Sequence, residues 1–131
     1  MSDQDEKNKT YCFEIDTQTR FLEHQSDVEN QHYVFAYTIT IKNTGTIGAR
    51  LLSRHWVIID ANQKVQEVRG EGVVGEQPFL NPGESFRYTS GTWLETPVGA
   101  MHGSYQMEAE DGTLFDADIK QFTLSVPRTL H

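Results

Sequence analysis

From Thr10 onward, apolar and polar residues alternate in short runs with a period of two. Tyr11, Phe13 and Ile15 alternate with Cys12, Glu14 and Asp16, the pattern of a strand with one buried face. Phe21 and Leu22 continue into or beside the same sheet. His32 to Lys42 predicts a second strand, with Tyr33, Phe35, Tyr37, Ile39 and Ile41 on one face. Asn43-Thr44-Gly45-Thr46 ends it with turn chemistry. Leu51 to Asp60 is apolar on both faces, His55, Val57 and Ile59 on one and Trp56 and Ile58 on the other. That reads as a central strand covered on both sides. Asp60 to Gln63 predicts a turn and Val65 to Arg69 a short return strand.

Gly70 to Gly83 holds four glycines and two prolines, so it reads as loop with at most a short strand piece at Val73-Val74. Alternation resumes over Ser85 to Thr89, and Gly91 to Met101, broken by Pro97 and Gly99, reads as irregular. The last hairpin is the most specific local signal. Gly103, Tyr105, Met107 and Ala109 share one face and Phe115, Ala117 and Ile119 the facing one. Matching these faces requires an odd loop, and Glu110-Asp111-Gly112 supplies it, with Gly112 free for positive φ. Met107 then pairs with Phe115 and Tyr105 with Ala117. Beyond Lys120 the apolar phase flips to Phe122, Leu124 and Val126, which predicts a bulge near Lys120-Gln121. No stretch sustains a 3.6-residue period. The pattern predicts an all-β, immunoglobulin-like or fibronectin type III-like antiparallel β-sandwich over residues 10–127. A disordered polar tail at 1–9 and a short C-terminal tail at 128–131 flank it.

Composition narrows the function. A chain of 131 residues is one domain by size. Nineteen acids against eleven bases give a net charge of −8, which repels phosphate backbones and argues against nucleic acid. Cys12 is the single cysteine, so no intrachain disulfide is available, and no secretory signal is visible; both point to the cytoplasm. The longest aliphatic run, Val57-Ile58-Ile59, is far short of a membrane span.

With these residues in place, a family resemblance emerges. Leu51 to Trp56, Gly70 to Pro78, Pro82-Gly83-Glu84 with Tyr88 to Gly91, and Gly99 to Met107 resemble the bacterial ApaG family, over about residues 8–127. The resemblance implies a sandwich of the fibronectin III or immunoglobulin kind and a link to cobalt and magnesium tolerance, without an established activity. Related domains occur as modules in eukaryotic F-box and polymerase-interacting proteins, where they look like interaction units. Two positions depart from the family's pattern: Gln63 stands in a turn where glycine is frequent, and Lys120 where a proline would be expected.

Candidate chemistry is sparse. Gly70-x-Gly72-x-x-Gly75 matches a dinucleotide fingerprint as a string, but no amphipathic helix can follow. What survives is an anion site in which turn amides and Arg69 hold a pyrophosphate or nucleotide phosphate, formed by Arg69, Gly70, Gly72 and Gly75; the alternative is a closely packed glycine loop. Arg54 and His55 alternate and cannot reach one substrate atom unless a bulge intervenes. Glu108, Asp116 and Asp118 on the outward face of the last hairpin suggest a divalent-cation site, although acids are ordinary on a wet strand. Phe79, Leu80, Trp93 and Leu94 read as apolar loop tips and so as a partner surface. No nucleophile, zinc or Walker spacing is present. The expectation is a non-enzymatic binding module without a cofactor, meeting a protein partner or a second copy. The alternative is a small-ligand binder at the glycine loop or the acidic face.

Overall fold

The alternating runs fold into two antiparallel sheets, seen here in a computed structural model that describes residues 9–127. Most of the expected N-terminal tail and all of the C-terminal one lie outside the described residues. One sheet has the order β1-β2-β6, formed by β1 (Phe13–Phe21), β2 (Tyr33–Asn43) and β6 (Ser85–Leu94). The other has the order β4-β3-β7-β8, formed by β3 (Ala49–Asp60), β4 (Val65–Glu71), β7 (Val98–Ala109) and β8 (Leu114–Ser125). The two-residue β5 (Phe79–Leu80) extends the β4 side by pairing with Ala49 and Arg50 of β3. The inner faces of the two sheets meet in one core that holds Phe35, Ile39, Ile41, Leu51, Trp56, Met101, Tyr105, Met107 and Leu124. This is the antiparallel β-sandwich that the alternation predicts.

Register follows the hydrophobic pattern closely. Met107 pairs with Phe115 and Tyr105 with Ala117, and Gly112 sits at φ 85° in the connecting turn. Two residues, Lys120 and Gln121, lie opposite His102 alone, because Met101 pairs with Phe122 and Gly103 with Ile119. The bulge returns Phe122 and Leu124 to the inner face, where the shifted apolar phase places them. Gln63 adopts φ 67°, a left-handed conformation that glycine occupies without strain.

Three expectations need correction. Gly91 to Met101 is not irregular: β6 runs through to Leu94 and β7 starts at Val98, so only Glu95, Thr96 and Pro97 connect them. Gly99 is there because a Cβ would stand 2.6 Å from Leu94 Cδ1 and 2.7 Å from the Ile59 carbonyl, and not because the chain turns. Strand β3 is central within its sheet but is not covered on both sides. Trp56 and Ile58 are buried, whereas His55, Val57 and Ile59 are only partly so, because nothing among the described residues packs on the outer face. Finally, β1 starts at Phe13; Tyr11 precedes it and packs on Phe115, ring centroids 5.3 Å apart. The Tyr11 hydroxyl donates to Asp111 at 2.5 Å, and that bond, with the Thr113 amide, holds the Asp111 carboxyl below the usual carboxylate range.

Candidate functional site

The outer face of the larger sheet has two halves, set by the register across β4, β3, β7 and β8. One cross-strand row places Glu71, Ser53, Gln106 and Asp116 side by side, and the next places Arg69, His55, Ser104 and Asp118. Together they form an open hollow of about 620 Å³, lined among others by Ser53, His55, Arg69, Ser104, Gln106 and Asp116. Toward the other end, the rows become Glu67-Val57-His102 and then Val65-Ile59-Ala100, with Val98 on the same face beyond. Val65 is 57% and Val98 45% exposed. A solvated sheet face normally alternates to polar residues on every outward position; this end does not.

The hollow's polar side chains are already arranged among themselves. Ser53 Oγ donates to Gln106 Oε1 at 2.8 Å, and Gln106 Nε2 donates to Ser104 Oγ at 2.9 Å. His55 Nε2 lies 3.1 Å from Glu67 Oε1. Ser104 stands across from His55; its Oγ accepts from Gln106, and the imidazole of His55 is held by Glu67. Arg69 forms no ion pair with any described residue and offers a free guanidinium at the rim.

Beneath this face lies a polar cluster in the core. Alternation holds from Ser53 to Asp60, so Arg54 points inward and His55 outward. The bulge at Leu52 precedes both and leaves them on opposite faces. The Arg54 guanidinium lies under Gly70, where a Cβ would come within 2.7 Å of it, and donates to the carbonyls of Glu71 and Gly72 at 2.9 and 2.8 Å. Nearby, the Tyr88 and Tyr105 hydroxyls share a hydrogen bond of 2.5 Å across the two sheets. Burial pushes both phenols well above their usual range, so both stay neutral.

The anion candidates separate on the structure. Arg69 points outward, Gly70 inward over Arg54, and Gly72 and Gly75 belong to a tight turn beyond. In that turn Val74 and Gly75 have φ of 43° and 82°, and Val73 and Glu76 exchange both amide bonds. The Gly72 amide donates to Leu52 at 2.8 Å, and a Cβ on Gly72 would stand 2.3 Å from the Glu76 carbonyl. The glycines let Val73 tuck into the core, and the amides of Gly72, Val73 and Glu76 are spent inside the turn. The cation candidates do not converge. Glu108, Asp116 and Asp118 lie along the β7–β8 ladder beside Leu114, Gln106 and Ser104, and among the described residues no three His, Cys, Asp or Glu gather as a metal group.

The partner candidates are corrected most. Leu80 and Leu94 are core residues, 5% and 1% exposed, because both end strands and not loops. Phe79 is half-buried beneath Arg50, 5.5 Å above its ring, beside Gly48 and Ala49. Trp93 is 43% exposed and stacks on His32 at 4.6 Å. Phe79 and Trp93 sit at opposite ends of the sandwich, so the four make no common patch. The apolar outward set was missed because Val57 and Ile59 suggested a second covering layer. The signal that identifies it is Val65, Val98 and Ala100 falling in register with them. No helix among the described residues is long and apolar enough to cross a membrane.

Comparison with known proteins places this sandwich. The ApaG domain family model matches residues 23–109. Protein ApaG of Azoarcus sp. (strain BH72) is 64% identical over 125 residues, covering 95% of this chain and 98% of that protein. Protein ApaG of Methylobacillus flagellatus is 58% identical over the same coverage. A crystal structure from Bordetella pertussis, described as an ApaA protein, superimposes with a TM-score of 0.89 at 50% identity, covering 92% of this chain and 98% of that one. The chain belongs to the ApaG family.

Proposed function

We propose that the chain is a non-enzymatic, protein-binding module whose contact surface is the outer face of the β4-β3-β7-β8 sheet. The observation that carries this reading is the apolar half of that face, Val57, Ile59, Val65, Val98 and Ala100, bordering a polar hollow with an unpaired Arg69. An apolar centre with a polar margin is the anatomy of a protein interface. The division of strands, β1-β2-β6 against β4-β3-β7-β8 with only the two-residue β5 added to the second sheet, supports the fibronectin type III-like form of the sandwich. We further propose that any influence on cobalt and magnesium tolerance runs through the bound partner, since Glu108, Asp116 and Asp118 are spread along a ladder.

Val65→Asp and Val98→Asp test the surface, because both side chains are exposed and the fold does not need them. Crosslinked capture from native-host extract should recover a defined partner with the unaltered chain and lose at least about tenfold with either variant, the effect of burying an unpaired charge. Capture undiminished by both, with circular dichroism unchanged, would reject this face.

A further inference from the structure

We infer that β6 is a strand-addition edge whose occupant is the β6 of a second copy, in one defined register. Three of the four sheet edges are covered or charged. Strands β1 and β8 meet along one side, where Tyr11 and Phe13 pack on Phe115 at 5.3 and 6.1 Å. Strand β4 carries Glu67, Arg69 and Glu71 in alternation, a common guard against edge pairing. Strand β6 is ten residues long and, after Arg87, continues from Tyr88 to Leu94 with neither charge nor proline. Among the described residues no strand pairs with its outer side.

The bonds around β2 show which β6 groups are unpaired. Leu22 N–H donates to the Val34 carbonyl and Thr44 N–H to Cys12, whereas Asn43 N–H donates to Glu84 and Gly83 N–H to Asn43. Even residues of β2 therefore face β1 and odd ones face β6. Since Ile39 pairs with Tyr88 and Tyr37 with Ser90, the even residues of β6 bond to β2. Arg87, Thr89, Gly91 and Trp93 thus turn their amides and carbonyls away from it.

An antiparallel second copy centred on Ser90 joins these groups to their own equivalents. Arg87 then pairs with Trp93 of the other copy, and Thr89 with Gly91, each twice by the two-fold axis. All four lie on the outer face of their sheet. The guanidinium of Arg87, which no described carboxylate holds, comes within cation–π reach, about 6 Å, of an exposed indole. Gly91 leaves room for the facing threonine. Ser90 meets Ser90 in a non-hydrogen-bonded pair, Cα atoms about 4.5 Å apart. This contact is separate from the outer face of the other sheet, and its failure would leave that reading untouched.

Sedimentation equilibrium of the full chain should show a concentration-dependent dimer. Thr89→Pro removes an outward N–H and leaves the backbone β2–β6 bonds intact, giving up only the exposed Thr38–Thr89 hydroxyl pair, at an edge position where proline is tolerated; it should raise the dimer dissociation constant about tenfold or more. Arg87→Glu, a surface change that spares the backbone, should weaken the dimer comparably. In a Cys12→Ser background, Ser90→Cys should oxidise to a covalent dimer and Thr92→Cys should not, since the latter pair is too far apart for a disulfide. A chain that stays monomeric to millimolar concentration would overturn the inference. So would a dimer indifferent to both Thr89→Pro and Arg87→Glu, or equal crosslinking by Ser90→Cys and Thr92→Cys.

Discussion

Replacing Gly103 with alanine is expected to destabilise the domain by about 3 kcal/mol, at the upper end of the range for overpacking a core. Gly103 pairs with Trp56 on one side and Ile119 on the other, next to the bulge at Lys120-Gln121. A Cβ there would stand 2.0 Å from the carbonyl oxygen of His55 and 3.1 Å from its carbon. Both obstacles are main chain, so no side chain can swing aside. Strand β3 would have to draw back from β7 at the point where Trp56 is clamped. Urea unfolding should show a lower midpoint with an unchanged slope; a loss under about 0.5 kcal/mol, ordinary for a surface substitution, would mean that the strands are not held this closely.

The second large effect is at Trp56 itself. Truncation to alanine should cost about 3–5 kcal/mol, the range for emptying a buried aromatic site. The indole is 2% exposed and meets Tyr37, Tyr105 and Phe122 edge-on, with centroids 5.4, 6.3 and 5.9 Å away. It bridges the sheets, since Tyr37 belongs to β2 and the others to β7 and β8. Its Nε1 is buried without a hydrogen-bond partner among the described residues. Trp56→Phe should therefore be much milder, because the unpaired donor leaves with the larger ring and offsets part of the lost packing. Equal losses in the two variants, measured by the same unfolding curves, would contradict a site that is purely apolar.

The sequence was most informative where one face of a strand is fully buried. There a slip of one residue inverts every side chain, so the apolar pattern of Gly103 to Ile119 determines register, the Glu110-Asp111-Gly112 turn and the compensating bulge together. It was least informative at edges and close approaches. Gly91 and Gly99 resemble turn residues, but Gly91 lies in an edge strand and Gly99 makes room for Leu94. The two residues of β5 pair only because β3 has an open side past the glycine turn, which no local periodicity encodes. Leu80 and Leu94 were mistaken for loop tips on the same ground: each ends a strand whose length is set by its neighbour.

The candidate surface was partly legible. Val57 and Ile59 were visible as apolar residues on the face opposite Trp56, and burial on both sides was the natural reading. The structure instead leaves that face open and aligns Val65, Val98 and Ala100 beside them. Bringing β4 and β7 into that row depends on pairings 6 and 41 positions apart along the chain, Ile59 with Val65 and Ile59 with Ala100. The charged candidates had the opposite fate. Glu108, Asp116 and Asp118 are where alternation puts them, but alternation also keeps them strung along the ladder.

Partner contact at the outer apolar row can be read most directly from the methyl groups that line it. In the captured complex, methyl-labelled chain should show shifts or broadening at Val57, Ile59, Val65, Val98 and Ala100, with Val73 in the glycine turn unmoved. Perturbation centred on the turn or on β6, with those five methyls unchanged, would place the partner elsewhere.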